Sequence, residues 1–300
     1  MNVLVTGATG FVGSHLCKKL INSGHDVFGI TKSGNTDSIN SLLKCSNFHL
    51  IKKDLTDNKS YDLPVNIDAI FHTAGILPSE KYSFNDYCKN NIMATYNLLE
   101  YARKNEIKIF VFSSTCSVYG VTEDIISEQS PINPSSEYAL TKYFSECLVK
   151  MYSEIFFIRS FVFRYTIVFG EGDKNSIVHK YIKELNKNED ILLSENLSKK
   201  HRNLINVEDV ALLHENVLNN VKDLPSFNLY IVGSEESIQI IDLIQYLKNS
   251  LNSDSKIAIS NGGSIITSDA LADISKVKND LFLEPITIKM GLNLIIKQLR

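Results

Sequence analysis

Cysteine is scarce and scattered in this sequence, which excludes two common kinds of stabilising site. No two of its five cysteines are separated by only two residues (Cys17, Cys45, Cys88, Cys116 and Cys147). A disulfide framework or a zinc site would need a paired or closely spaced set. We therefore expect no disulfide, no metal site and a reducing compartment, namely the cytoplasm.

Long apolar runs and an excess of basic charge are also missing. The sequence has no window of 18 uninterrupted apolar residues, so no membrane span is expected. Lysine and arginine number 31 against 34 aspartates and glutamates, a net charge of −3, so nothing marks a nucleic-acid partner. The start of the chain lacks a charged region followed by a long apolar stretch, and no secretory signal is expected. The pattern favours a globular protein whose partner is a small molecule.

Short apolar strands alternate with amphipathic helices through the first half of the chain. The predicted strands cover residues 3–5, 26–30, 48–51, 69–72, 107–112 and 155–163, and the predicted helices 11–22, 87–104 and 135–152. Such alternation predicts an α/β fold with a Rossmann-type, doubly wound parallel sheet.

The alternation loosens after about residue 170, where helices are predicted over 175–186, 207–219 and 238–251. No repeat, low-complexity tract or Pro/Gly/Ser-rich linker separates the two halves. We predict a dinucleotide-binding domain over 1–169 and a smaller, mixed C-terminal substrate lobe over 170–300. The ligand is expected in the cleft between them.

A glycine loop follows the first predicted strand and precedes the first helix. Gly7, Gly10 and Gly13 are spaced G-x-x-G-x-x-G. Small residues let the backbone approach a pyrophosphate, and the free N–H groups of the helix N-terminus favour the anion. A tight turn without ligand is the alternative, but the strand and helix around the loop favour dinucleotide binding.

The turn after the second strand bears on the choice of dinucleotide. NAD-selective sites usually place an acidic residue there, whereas this chain has Thr31, Lys32 and Ser33. A lysine and two hydroxyls suit a 2′-phosphate, so the turn favours NADP over NAD unless Lys32 is only a solvated charge. Asp54 could accept a hydrogen bond from the adenine amino group, although aspartate is also common in turns.

Tyr138 and Lys142 are four residues apart and therefore share one helix face. Tyrosine has an ordinary pKa near ~10, and an adjacent ammonium favours its phenolate. Tyr138 could then exchange a proton with an alcohol oxygen while the cofactor carries hydride, and Lys142 could hold the ribose. Thr115 is the expected hydroxyl that places the reacting oxygen, with Ser114 as the alternative. A lone Y-x-x-x-K is often a surface pair, but its position after the glycine loop and the hydroxyl cluster favours catalysis.

These residues together resemble the extended short-chain dehydrogenase/reductase superfamily, in particular the nucleotide-sugar epimerases, dehydratases and 4-ketoreductases. The motifs lie at residues 6–13, 54–56, 72–75, 91, 113–120, 138–142, 164–170, 202–210 and 272–276. The resemblance implies a nucleotide-sugar substrate and a homodimer formed through a four-helix bundle.

The expected site follows from the glycine loop, the turn after strand two and the resemblance. The cofactor residues are Gly7, Gly10, Phe11, Val12, Gly13, Thr31, Lys32, Ser33, Asp54, Leu55, Ala74, Asn91, Tyr138, Lys142 and Tyr165. The substrate residues are Thr115, Cys116, Ser117, Tyr138 and Arg202, with Arg202 on the nucleotide phosphate.

Three departures from the family pattern bear on the reaction. The dehydratases have an Asp-Glu pair where this chain has Cys116 and Ser117, so dehydration is not expected. Ile167 replaces an asparagine that precedes the substrate diphosphate. Asn261, Gly262 and Gly263 lie where many epimerases have an arginine. The last two changes argue against identifying the protein directly as a UDP-galactose 4-epimerase.

The leading hypothesis is therefore an NADP(H)-dependent reductase of a nucleotide-linked 4-keto sugar, expected to be 6-deoxy, in polysaccharide synthesis. The alternative is an NAD-dependent nucleotide-sugar 4-epimerase. A dinucleotide-sensing protein without chemistry is less favoured, because such relatives generally lose the tyrosine or the lysine.

Overall fold

The computed structural model describes residues 1–57, 63–122, 124–220, 224–260 and 271–299. The strands are β1 (Asn2–Thr6), β2 (Asp26–Thr31), β3 (Phe48–Lys52), β4 (Ala69–His72), β5 (Ile109–Thr115), β6 (Arg159–Tyr165), β7 (Ile167–Phe169), β8 (Ile191–Ser194), β9 (His201–Asn206), β10 (Phe227–Val232), β11 (Ser237–Gln239) and β12 (Ile257–Ser260). The helices are α1 (Phe11–Asn22), α2 (Phe84–Tyr87), α3 (Ala94–Lys104), α4 (Glu137–Phe156), α5 (Ile177–Asn186), α6 (Glu195–Ser198), α7 (Val207–Asn220), α8 (Ile240–Leu251), α9 (Ser275–Leu281) and α10 (Ile288–Leu299).

Seven parallel strands form the central sheet in the order β10-β6-β5-β4-β1-β2-β3. The chain runs outward from β1 in one direction through β2 and β3, then returns to build the other half from β4. The predicted doubly wound α/β fold is thus confirmed. The point between β1 and β4, where the strand order reverses, is where such sheets bind ligands.

Apolar side chains cover both faces of the central strands, as expected for a parallel sheet buried between helices. Val3 and Val5 pack on the side of α1, whereas Leu4 packs on the side of α3 and α4. The alternation along β1 therefore contributes to two cores at once.

The later part of the chain adds two smaller sheets. One has the order β11-β9-β7, and the other pairs β8 with β12. Their apolar residues pack with α5, α8 and α10 in a third core. The chain also returns to the central sheet with β10, and the boundary proposed at residue 169 stays a prediction.

Two strand predictions were wrong at their bounds. β5 extends to Thr115 instead of ending at residue 112, and β6 begins at Arg159 instead of residue 155. The error at β6 comes from α4, which continues to Phe156 and ends at Phe157, whose φ of 55° is left-handed. Ile155 and Phe156 thus belong to an exposed helix end rather than to a buried strand.

The helix predicted over 87–104 is built in three parts. It begins at Phe84, where Ser83 and Asp86 form a reciprocal capping box. A π-helical turn, Cys88–Met93, then leads into α3. Such turns are frequent at functional sites.

Membrane and metal features can be described for the residues that the structure covers. Among them, no helix has the length and apolar character needed to cross a bilayer. The same residues include no group of three or more histidine, cysteine, aspartate or glutamate side chains placed to hold a metal ion. The cytoplasmic location stays a prediction.

Candidate active site

A cleft of about 560 Å³ lies at the carboxyl end of the central strands, over the point where the strand order reverses. The glycine loop after β1, the ends of β2, β4 and β5, and the first turns of α4 contribute to its wall. The residues between β6 and α5 close its other side. Because loops from both halves of the sheet meet here, the cleft can hold a dinucleotide and a second ligand.

The glycine loop is packed so tightly that two of its positions admit no side chain. A Cβ on Gly13 would lie 2.2 Å from the carbonyl oxygen of Gly7. Gly7 itself has a φ of 68°, and a Cβ there would lie 2.9 Å from the backbone nitrogen of Ala74. The loop leads directly into α1, whose first N–H groups have no partner within the helix. This arrangement forms a cradle for a pyrophosphate.

The turn after β2 is organised by internal hydrogen bonds and an ion pair. The hydroxyls of Thr31 and Thr9 lie 2.9 Å apart. Lys32 Nζ lies 2.9 Å from a carboxylate oxygen of Asp54 and 3.4 Å from the amide oxygen of Asn90. The lysine that suggested a 2′-phosphate contact is therefore already paired with a carboxylate.

Asp54 is held as a carboxylate by its neighbours. Burial alone would raise its pKa, but the Thr56 N–H and the Lys32 ammonium bring the pKa below its ordinary value. The Thr56 hydroxyl also donates to it at 2.8 Å. A negative group thus lies on the cleft wall beside Lys32.

Tyr138 and Thr115 meet at the wall of the cleft, on α4 and β5. The Thr115 hydroxyl faces the Tyr138 phenol and opposes a rise in the pKa of Tyr138. Burial is the larger influence and raises that pKa to about 12, and Tyr87 adds to the rise. In the chain alone Tyr138 is thus a neutral phenol at neutral pH.

Lys142 lies one turn further along α4. Its Nζ donates to the carbonyl oxygen of Ser113 at 2.5 Å and lies 4.1 Å from the centre of the Phe112 ring. Burial lowers the pKa of Lys142 to about 7, while Glu146 raises it. The charge on Lys142 therefore depends on its surroundings near neutral pH.

Ser114, the alternative to Thr115, makes a different contact. Its hydroxyl hydrogen-bonds to the carboxylate of Glu146. Thr115 Oγ1, in contrast, accepts from the N–H of Ser117 at 3.1 Å and lies at the tyrosine. The structure therefore places Thr115, rather than Ser114, beside Tyr138.

Fourteen of the fifteen cofactor residues expected from the sequence line the cleft. Their role in cofactor binding stays a prediction. They are Gly7, Gly10, Phe11, Val12, Gly13, Thr31, Lys32, Ser33, Asp54, Leu55, Ala74, Tyr138, Lys142 and Tyr165. Asn91 is the exception and lies buried behind the wall. Its amide oxygen accepts from the N–H of Ile76 at 3.0 Å, and its amide nitrogen donates to Thr141 at 3.1 Å. Asn91 thus joins the loop after β4 to α4.

The expected substrate residues divide into two groups. Thr115 and Tyr138 line the cleft, but Cys116, Ser117 and Arg202 are not part of its wall. The Cys116 thiol faces the carbonyl oxygen of Arg164 at 3.3 Å. Arg202 is buried in β9, where Nη1 donates to the carbonyl oxygen of His201 at 2.8 Å.

The structure also bears on the departures from the family pattern. Ile167, in place of the family's asparagine, lines the cleft. Asn261, Gly262 and Gly263 lie outside the described residues.

Comparison with known proteins identifies the chain's family. The model of the NAD-dependent epimerase/dehydratase family matches residues 3–233. The chain belongs to this family. An uncharacterized UDP-glucose epimerase of Bacillus subtilis is 32% identical, over 97% of this chain and 96% of its own length. A putative UDP-glucose 4-epimerase of Methanocaldococcus jannaschii is 29% identical, over 81% of each chain.

Solved structures of the family agree with the fold. A UDP-glucuronic acid 4-epimerase of Bacillus cereus, in complex with UDP-glucuronic acid and NAD, is 29% identical with a TM-score of 0.90. The comparison covers 100% of both chains. A UDP-N-acetylglucosamine 4-epimerase of Methanobrevibacter ruminantium is 26% identical with a TM-score of 0.86, over 99% of this chain and 98% of that one. The protein is therefore an enzyme of the NAD-dependent epimerase/dehydratase family.

The residues of the cleft fit the family's cofactor. The glycine loop is so closely packed at Gly7 and Gly13 that neither position admits a Cβ, and it leads directly into the N-terminus of α1. Lys142 and Tyr138 lie on the same cleft wall. The glycine loop, Tyr138 and Lys142 would thus hold NAD, which would supply the hydride chemistry.

The sequence reasoning missed a cleft segment between β7 and α5. Asp173, Asn175 and Ser176 line the cleft there. An Asp173 carboxylate oxygen accepts from the N–H groups of Asn175 and Ser176 at 2.9 and 3.0 Å, and Ser176 caps α5. A polar stretch that ends in serine before an amphipathic helix is a recognisable capping signal.

Proposed function

We propose that the protein is an NAD-dependent nucleotide-sugar 4-epimerase. The observation that carries the proposal is the placement of Thr115, Tyr138 and Lys142 together on the wall of a cleft that also contains the glycine loop. Relatives and structural neighbours named as 4-epimerases favour this alternative over the 4-ketoreductase that led the sequence analysis. No comparison specifically supports the reductase.

Proton transfer is the task of Tyr138. It would take the proton of the sugar 4-hydroxyl during oxidation and return one when the 4-keto sugar is reduced. Bound NAD supplies the hydride chemistry, which the side chains cannot perform. Because burial holds the pKa of Tyr138 at about 12, positive charge nearby is needed to make its phenolate accessible. Lys142 provides part of that charge.

Epimerisation, rather than dehydration, suits the side chains after β5. Dehydratases need a carboxylate pair for proton transfer at the neighbouring carbons, and Cys116 and Ser117 cannot supply it. The Cys116 thiol is directed at the backbone of Arg164, and burial raises its pKa well above the ordinary value. The site thus contains one proton-transfer group, Tyr138, supported by Thr115.

The proposal is tested by mixing purified protein with UDP-glucose, UDP-glucuronic acid or UDP-N-acetylglucosamine and no added cofactor. Nuclear magnetic resonance of the products should show the 4-epimer of at least one of them. Turnover of a 4-keto nucleotide sugar only when NADPH is supplied would contradict the proposal and restore the reductase.

We further propose NAD as the cofactor, because Asp54 already neutralises Lys32. Substitution Asp54→Asn frees the ammonium for a 2′-phosphate. Since an exposed ion pair is worth up to about 1 kcal/mol, the ratio of the NADP to NAD dissociation constants should fall by roughly two- to fivefold. Isothermal titration with both dinucleotides measures this ratio, in which any shared adenine contact of Asp54 cancels.

The matched control for this experiment is the double variant Lys32→Ala/Asp54→Asn, in which the ratio should return to the original value. If Lys32→Ala alone weakened NADP binding much more than NAD binding, Lys32 would already contact the 2′-phosphate. That result would contradict the NAD proposal.

We also propose the homodimer that the sequence predicted, formed through α3 and α4. The supporting observation is the apolar exposure of both helices. Met93 and Tyr96 are exposed on or just before α3, and Phe144, Met151 and Ile155 are exposed on α4. Two copies of this pair of helices would form a four-helix bundle.

A further inference from the structure

A fully buried ion pair lies directly behind the proposed catalytic residues. Glu146 on α4 and Arg164 on β6 each expose 4% of their side chain. The guanidinium donates Nε to both carboxylate oxygens at 3.1 and 3.2 Å and Nη2 to one of them at 2.6 Å. Such a pair costs desolvation energy, so its presence inside the protein calls for a reason.

The pair joins three parts of the site. Glu146 accepts the hydroxyl proton of Ser114, the residue immediately before Thr115. Arg164 Nη1 donates to the Tyr119 hydroxyl at 2.7 Å, and its carbonyl oxygen faces the Cys116 thiol at 3.3 Å. The end of β5 and the turn after it are therefore fixed to α4 and β6 through one carboxylate and one guanidinium.

Glu146 lies one helical turn beyond Lys142, which is itself one turn beyond Tyr138. The chain thus carries Y-x-x-x-K-x-x-x-E on one face of α4. The first two residues reach the cleft. The third reaches the strand that supplies Thr115, through Ser114.

We propose that Glu146 and Arg164 are positioning residues that hold the Tyr138–Lys142 face of α4 in register with Thr115 at the end of β5. The inference rests on the proposed function, because it presumes that Tyr138 and Thr115 act on the substrate. A proton transfer that depends on hydrogen-bond geometry is sensitive to displacements of about 1 Å, which can cost ~10²-fold in rate.

The charge of Glu146 has a second consequence, for Lys142. The groups that face Lys142 are Tyr138 and Glu146 on α4, the Ser113 carbonyl and Phe112 ring on β5, and His72 on β4. Burial and the charge of Lys142 lower the pKa of His72 to about 3, so His72 is neutral. Glu146 therefore opposes the loss of the Lys142 proton. Without its charge, the pKa of Lys142 would fall below about 7.

The first test substitutes Glu146→Gln. We expect kcat to fall by about 10- to 100-fold with little change in KM, as for a misplaced catalytic pair. The activity needs the Lys142 ammonium. In Glu146→Gln the activity should therefore begin to decline at a lower pH than in the original protein. Acetylation of Lys142, followed by mass spectrometry across a pH series, should show the same downward shift. The labelling needs no turnover, so it remains informative even if the proposed 4-epimerase activity is wrong.

The second test substitutes Ser114→Ala, which keeps the ion pair and removes only its link to β5. Glu146→Gln leaves Arg164 with an uncompensated buried charge. If that variant does not fold, Ser114→Ala still tests the positioning role of the ion pair. We expect a lower kcat and an unchanged Lys142 labelling profile. Glu146→Asp, which keeps the charge, should retain a labelling profile close to the original.

The matched control is Glu100→Gln. Glu100 also pairs with an arginine, Arg103, and also accepts a hydroxyl proton, in its case from Tyr152. It lies on α3 and is not part of the cleft wall. Its substitution should change neither kcat nor the labelling of Lys142. The inference is overturned if Ser114→Ala retains full kcat. It is also overturned if a folded Glu146→Gln keeps the original kcat and labelling profile.

Discussion

Substitution Tyr138→Phe is expected to lower the turnover number by at least about 10²-fold and to leave dinucleotide binding nearly intact. The substitution removes only the phenolic oxygen, which faces Thr115. The ring remains in its edge contact with Tyr87, at 6.4 Å between ring centres. Product formation gives kcat, and chromatography of the dinucleotide released on denaturation gives cofactor content.

Tyr246→Phe is the control for this substitution, because Tyr246 lies on α8 and is not part of the cleft wall. It should retain full turnover. Unchanged turnover in Tyr138→Phe would exclude Tyr138 as the proton-transfer group. A loss of cofactor in parallel with activity would instead assign Tyr138 to binding.

Substitution Gly13→Ala is expected to destabilise the fold and to remove the bound dinucleotide. The added methyl group would lie 2.2 Å from the Gly7 carbonyl oxygen and 3.0 Å from the Thr73 hydroxyl. These neighbours belong to β1's loop and to the end of β4, so the cradle must distort to accept it. Overpacking of this kind costs about 1–3 kcal/mol in free energy of unfolding. Urea denaturation and the cofactor content of the purified protein measure the two effects.

Gly34→Ala provides the control, since a Cβ at Gly34 meets nothing within 4 Å. Its free energy of unfolding should change by no more than about 0.5 kcal/mol, as for an ordinary surface position. A Gly13→Ala protein with original stability and full cofactor content would show that the loop is not the close-packed pyrophosphate cradle described above.

Local pattern was sufficient to predict the elements that carry the site. The glycine spacing, the strand before it and the helix after it lie within 22 residues of the N-terminus, so their chemistry can be read from neighbouring residues. Tyr138 and Lys142 are similarly close in sequence. The end of α4 was predicted incorrectly because Ile155 and Phe156 are apolar and adjacent to β6. A short apolar run does not distinguish a strand from a helix end.

Contacts between residues that are far apart in the sequence could not be predicted from local pattern. Lys32 was expected to be available for a phosphate, but the approach of β3 brings Asp54 to it. The choice between Ser114 and Thr115 depends on which hydroxyl lies beside Tyr138. The Ser114 hydroxyl is instead hydrogen-bonded to Glu146. The Lys32–Asp54 ion pair and the buried Glu146–Arg164 pair could therefore be recognised only after the strands were in place.

The most direct test of the central claim follows the hydrogen at carbon 4 of the sugar. A UDP-sugar that the protein accepts, deuterated at carbon 4, would be incubated with purified protein and no added cofactor. A 4-epimerase returns the same hydrogen that it removes, so the account predicts a 4-epimer that retains deuterium at carbon 4. A parallel reaction contains added NADP. Transfer of the deuterium to that NADP, with a 4-keto sugar as the product and no epimer in either reaction, would contradict the account.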